Sequence, residues 1–146
     1  MHCSLCGIGS IGQRHYKNLR ALGHEVAIFR SGKSTEYNTA FLEKFFTGQA
    51  KSKPVQEFND FNDALAQFKH DSVFVTNPNA EHLSLSLQAA RAGKHLFIEK
   101  PVATTLDGID ELQELVTRKK LVAMVGYNLR LHPLLKKMKE PLDGGD

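Results

Sequence analysis

Three stretches of the chain combine residue types and spacings that can do chemistry: Cys6-Gly7-Ile8-Gly9-Ser10-Ile11-Gly12, Arg30-Ser31-Gly32-Lys33 and Glu99-Lys100-Pro101. The first has the spacing G-x-G-x-x-G. Read as the exit of a strand, a tight turn and the opening of a helix, it gathers unpaired backbone N–H groups around Gly9, Ser10 and Ile11 at the positive end of a helix dipole. A pyrophosphate can sit there. Gly7 would allow the sharp turn, Gly9 would let phosphate oxygens approach the backbone, and Gly12 would let the helix lie close on the strand. A purely structural turn and the nucleoside loop of a methyltransferase share this pattern, so the surrounding chain has to decide.

The second stretch bears on which dinucleotide. Dinucleotide folds that take NAD carry an acid about 20 residues beyond the glycines, where it accepts both ribose hydroxyls. Here Arg30 ends the apolar run Val26-Ala27-Ile28-Phe29, followed by Ser31 and Lys33. A guanidinium can hold a 2′-phosphate through two parallel hydrogen bonds, and a nearby hydroxyl and ammonium add donors. The expected cofactor is therefore NADP(H), with NAD(H) as the other candidate. A solvated strand-end cation is the competing reading of Arg30. The missing acid also weighs against a methyltransferase.

In the third stretch, Pro101 ends a strand over His95-Leu96-Phe97-Ile98 and biases Lys100 toward an extended backbone, so the ammonium is aimed with less freedom. The Lys100–Pro101 bond is also a candidate for a cis peptide. Ligands in open α/β sheets sit beyond the C-terminal ends of strands. Thr76, Asn77 and Pro78, which follow the strand Ser72–Thr76, are accordingly expected beside the glycine turn, with Asn77 reaching the cofactor. His82 is either a cofactor contact or a surface or capping residue at the next helix start.

These groups need elements to hold them. Strands are expected over residues 2–6, 26–29, 55–58, 72–76, 95–98 and 121–125. Helices are expected from Ile11 to Leu22 with inward Ile11, His15, Leu19 and Leu22, from Thr35 to Phe46, from Asp60 to Phe68, and from His82 to Gly93. Two more are expected from a Thr104/Asp107 capping box to Val116 and from Leu131 to Glu140. His70-Asp71 reads as a solvated turn. The alternation implies a doubly wound parallel sheet of about six strands in the order 3-2-1-4-5-6.

Composition bounds the rest. The chain has 146 residues, 41% of them hydrophobic, enough for one ordinary core. Its net charge of +3 suits a small anionic ligand and gives no argument for nucleic acid. No apolar run is long enough to span a bilayer and no secretory signal is visible, so no membrane association and a cytoplasmic setting are expected. Cys3 and Cys6 would point to opposite faces of a strand and complete no metal site, and no metal is expected.

Taken together, Gly7-x-Gly9-x-x-Gly12, Asn77-Pro78 with His82, Ala92-Gly93-Lys94-His95 leading into Glu99-Lys100-Pro101, and Gly126-Tyr127-Asn128-x-Arg130-x-His132-Pro133 resemble the Gfo/Idh/MocA oxidoreductases. The resemblance implies an NAD(P)-dependent enzyme acting on a sugar, sugar derivative or polyol. It gives Lys100 a part in substrate binding and proton transfer, Glu99 a contact to Lys100 or the nicotinamide ribose, and Asn128 a contact at the nicotinamide end. It also implies a substrate domain after the first, carrying Asp-x-x-x-His, a spacing this sequence lacks. Residues 1–128 are thus expected to be a dinucleotide-binding domain, and 129–146 the start of a linker or helix toward a missing C-terminal domain. Such a chain would bind cofactor without turnover on its own and would expose an apolar patch around Leu129–Met138 that invites homo-oligomers. The alternative is a free-standing, non-catalytic nucleotide-binding or redox-sensing module.

Overall fold

The structure, a computed structural model, describes residues 1–30 and 56–143. Ser31, Lys33, the expected helix 35–46, the loop 49–54 and Val55 lie outside the described residues. β1 (His2–Cys6), β2 (Glu25–Phe29), β3 (Glu57–Phe58), β4 (Ser72–Val75), β5 (His95–Ile98) and β6 (Ala123–Val125) form one sheet in the order β3-β2-β1-β4-β5-β6. Every pairing is parallel. The expected strand order is therefore the observed one.

Alternating side chains give the sheet two covered faces. Cys3 and Leu5 join Val26 and Ile28 beneath Tyr16 and Leu19 of α1 (Ser10–Ala21). Cys6, Val73, Val75, Leu96 and Ile98 face the other way, against α2 (Phe61–Gln67), α3 (His82–Arg91) and α4 (Ile109–Arg118). Cys3 and Cys6 are both buried free thiols in different layers, and burial pushes the Cys6 thiol well above its usual range. Each fully buried aliphatic side chain, such as Leu5 or Ile28, contributes about 2 kcal/mol of transfer free energy. α1 and α3 end on glycines at positive φ, Gly23 and Gly93, whose N–H groups fold back on the last turn.

Several local expectations need correction. The buried stripe of α1 is Gly12, Gln13, Tyr16 and Leu19, and Leu22 is exposed because the glycine cap has already turned the chain. α4 starts at Ile109 after Gly108 at φ 91, and not at a Thr104/Asp107 box; a left-handed residue cannot lie inside a helix, and Leu106 is exposed. His70 is buried, with its ring against the Ala64 carbonyl, and Asp71 accepts the His2 N–H at 2.8 Å, so this pair is an anchored junction and not a solvated turn. The last helix, α5, is Pro133–Asp143, preceded by a 3₁₀ turn at Asn128–Leu131.

Candidate functional site

Parallel pairing brings four strand ends to one edge. The Thr76 N–H donates to the Cys6 carbonyl at 2.9 Å, Glu99 to Val75 at 3.0 Å, and Gly126 to Ile98 at 2.8 Å. Gly7, Thr76, Glu99 and Gly126 consequently stand side by side, about 5 Å apart per strand.

The glycine turn separates into two kinds of glycine. Gly7 is at φ 92, and a Cβ on it would lie 2.8 Å from the Asn77 Cα. A Cβ on Gly12 would lie 2.2 Å from the Gly7 carbonyl oxygen. Both positions are glycine because the chain itself allows nothing larger. Gly9 is different: its φ of −64 suits any residue, and a Cβ there would meet nothing within 4 Å among the described residues. Gly9 is also the N-cap of α1, with no side chain capping the helix and no acid in its first turn, so the amides after it keep their hydrogen-bonding capacity. Of these residues, Ser10 is exposed and Ile11 half-buried.

Thr76 braces this turn from the neighbouring strand, its Oγ1 lying 2.8 Å from the Cys6 carbonyl and 3.0 Å from that of Gly7. Asn77 donates through Nδ2 to Glu81 at 2.9 Å, while its buried Oδ1 has no partner among the described residues. Pro78 is exposed. The His82 ring, 1% exposed, spans two carbonyls, with Nε2 2.8 Å from Asn77 and Nδ1 2.6 Å from Pro101. The surface or capping reading of His82 is therefore wrong, because the ring is the internal tie between the loops after β4 and β5.

At the far end of the edge, Lys100 is exposed and the Lys100–Pro101 bond is cis. The Glu99 carboxylate is 2.8 Å from His15 Nε2, and both side chains are less than one-fifth exposed. The His15 ring also packs on Phe97, centroids 4.9 Å apart. A groove of about 260 Å³ runs between α1 and the ends of β5 and β6, bordered by His15, Glu99, Met124, Tyr127 and Asn128. Asn128 itself is exposed.

Arg30 lies at the end of β2, as expected, but is not a solvated cation. Its Nη1 is 3.0 Å from Glu57 Oε2, and its side chain is only 17% exposed. Glu57 and His15 are the residues that sequence reasoning missed. His15 was legible only as a polar residue on a stripe read as apolar. Glu57 belongs to a two-residue strand whose cross-strand neighbours no local pattern reveals.

The residues that can hold a dinucleotide thus share one edge: bare amides at Gly9 to Gly12, a buried acceptor at Asn77, a cation at Lys100 and the Arg30–Glu57 pair at the adjoining corner. Among the described residues no helix is long and apolar enough to cross a membrane.

Comparison with known proteins agrees with this geometry. Residues 1–127 match the family model of the Gfo/Idh/MocA oxidoreductases, described as an NAD-binding Rossmann fold. The chain is 27% identical over 145 residues to myo-inositol 2-dehydrogenase of Thermotoga maritima, covering 99% of this chain and 41% of that protein. It is 27% identical over 88 residues to D-xylose 1-dehydrogenase [NADP(+)] of Haloarcula marismortui, covering 60% of this chain and 24% of that one. The WlbA dehydrogenase of Chromobacterium violaceum, solved with NADH and UDP-GlcNAcA, superposes with a TM-score of 0.80 at 22% identity, over 99% of this chain and 40% of that chain. The chain spans about 40% of the length of the first curated relatives it matches.

Proposed function

The chain belongs to the Gfo/Idh/MocA oxidoreductases through its NAD-binding Rossmann domain, and from that premise we propose that it binds NADP(H) ahead of NAD(H) for hydride transfer at a hydroxyl of a sugar, sugar derivative or polyol. The observation that carries the coenzyme reading is Gly9, a glycine beside uncapped helix amides whose Cβ position meets nothing among the described residues. Inositol and xylose dehydrogenases among the relatives support the substrate class.

The coenzyme supplies a hydride acceptor or donor at the nicotinamide. The chain's own residues do the rest. The amides of Gly9, Ser10, Ile11 and Gly12 take the pyrophosphate. Thr76 keeps Gly7 in place, and Asn77 and Pro78 border the cofactor. Lys100 holds the reacting oxygen, and its ammonium favours the alkoxide while the hydroxyl proton passes to solvent water. Glu99, fixed by His15, orients Lys100 or takes a ribose hydroxyl, and Asn128 lies toward the nicotinamide end. His82 serves the cofactor through Asn77 and Pro101 and not by touching it. Arg30 takes the 2′-phosphate, with Ser31 and Lys33 as further donors.

Residues 1–128 form the dinucleotide unit in this reading, and the segment from 129 leads toward a substrate-binding domain that completes the enzyme. Calorimetric titration tests the coenzyme assignment. Saturable binding is expected for both coenzymes, with NADPH about tenfold tighter, one charge-assisted hydrogen bond's worth, and Arg30→Asp should remove that preference. Equal affinity of the unaltered chain for NADPH and NADH, with the ratio left unchanged by Arg30→Asp, would refute the role of Arg30.

A further inference from the structure

The corner at the end of β2 holds both a cation and an anion. β2 and β3 pair in parallel with Ile28 opposite Glu57 and Phe29 opposite Phe58, and the Arg30 N–H donates to the Phe58 carbonyl at 2.9 Å. Arg30 lies two residues beyond Ile28 on the same face, so Glu57 is its diagonal neighbour across the ladder. The backbone, and not side-chain chance, sets their 3.0 Å contact. Exposure differs between the two: the Arg30 side chain is 17% exposed and that of Glu57 38%.

We propose that Glu57 is a specificity-determining residue for the coenzyme, returning from the neighbouring strand the carboxylate that the end of β2 lacks. The inference rests on the coenzyme reading above. Glu57 acts in two ways. It occupies the guanidinium that a 2′-phosphate would need, and it adds a negative charge that such a phosphate must approach. Its more open side can accept a ribose hydroxyl, as an acid at the end of β2 does in NAD-binding folds. Arg30 and Glu57 therefore pull in opposite directions, and the preference for NADP(H) is smaller than Arg30 alone would impose.

Half-ligands isolate this corner from the rest of the site. Adenosine 2′,5′-bisphosphate and adenosine 5′-monophosphate are titrated by calorimetry into the unaltered chain, Glu57→Gln and Glu57→Ala, with NADPH and NADH run in parallel. Both substitutions should raise the affinity ratio of the 2′-phosphorylated to the unphosphorylated ligands by about tenfold. Adding Arg30→Met to Glu57→Gln should cancel the gain. Glu57 lies on a two-residue edge strand, and melting curves run on each variant confirm that a folded domain is being compared. A ratio unchanged in both single variants, with all ligands still binding, overturns the role of Glu57. Failure of the unaltered chain to bind any of the four overturns the coenzyme reading itself.

Discussion

His70 and Asp71 follow one another between α2 and β4, where two polar residues suggest solvent. In the fold they close the lower edge of the sheet. Burial, outweighing the Ala64 carbonyl contact that raises it, holds the His70 imidazole below its ordinary pKa. The unfolded chain therefore binds a proton more readily than the folded one below about pH 6.5. Stability should be fully present at neutral pH and fall as the pH drops below about 6.5. Thermal melts across that range should show the decline, and His70→Gln should flatten it; a slope unchanged by the substitution would remove His70 as its source. Single residues were legible where their constraint is local. Gly7 and Gly12 announce themselves because a turn and a close helix approach demand them, and Arg30 because it ends an apolar run. Glu57 and the burial of His70 were not legible, since both depend on which strands and helices lie beside them.

At the scale of elements, alternating apolar runs and helical periods were enough to read the sheet order, because parallel crossovers leave few alternatives. Boundaries were less legible. The helix after β5 was read too early because Thr104 and Asp107 mimic a cap, whereas Gly108 at φ 91 sets the true start. The connections between elements were the hidden part of the site. His82, at the first residue of α3, is the internal strut between the loop carrying Asn77 and the turn carrying Lys100. Replacing it with Phe removes the ring N–H that one of the two carbonyls accepts and the tie between the loops, and His82→Phe should cost about 2 kcal/mol in urea denaturation. It should also weaken coenzyme binding by displacing Asn77. A variant as stable as the original would show that the ring is not the tie between these loops.

Across the whole molecule, the two sheet faces carry different helices among the described residues. α2, α3 and α4 pack on one face, while α1 on the other reaches β1, β2 and part of β4. Beyond it Met124, Tyr127, Leu129 and Leu131 are exposed, and α5 adds Leu134 at 65% and Met138 at 66% exposure. Exposed apolar side chains gathered in one segment favour association. Light scattering should show self-association rising with concentration, reduced by Leu134→Glu with Met138→Glu; a monomer at every concentration would count against it. The central claim, that the β1–α1 turn is kept open for a pyrophosphate, is tested most directly at Gly9. Gly9→Ala adds a methyl group that meets nothing among the described residues, so the melting temperature should hold or rise slightly, while affinity for NADH and NADPH in calorimetric titration falls at least about tenfold. Undiminished coenzyme affinity in a folded Gly9→Ala variant would contradict it.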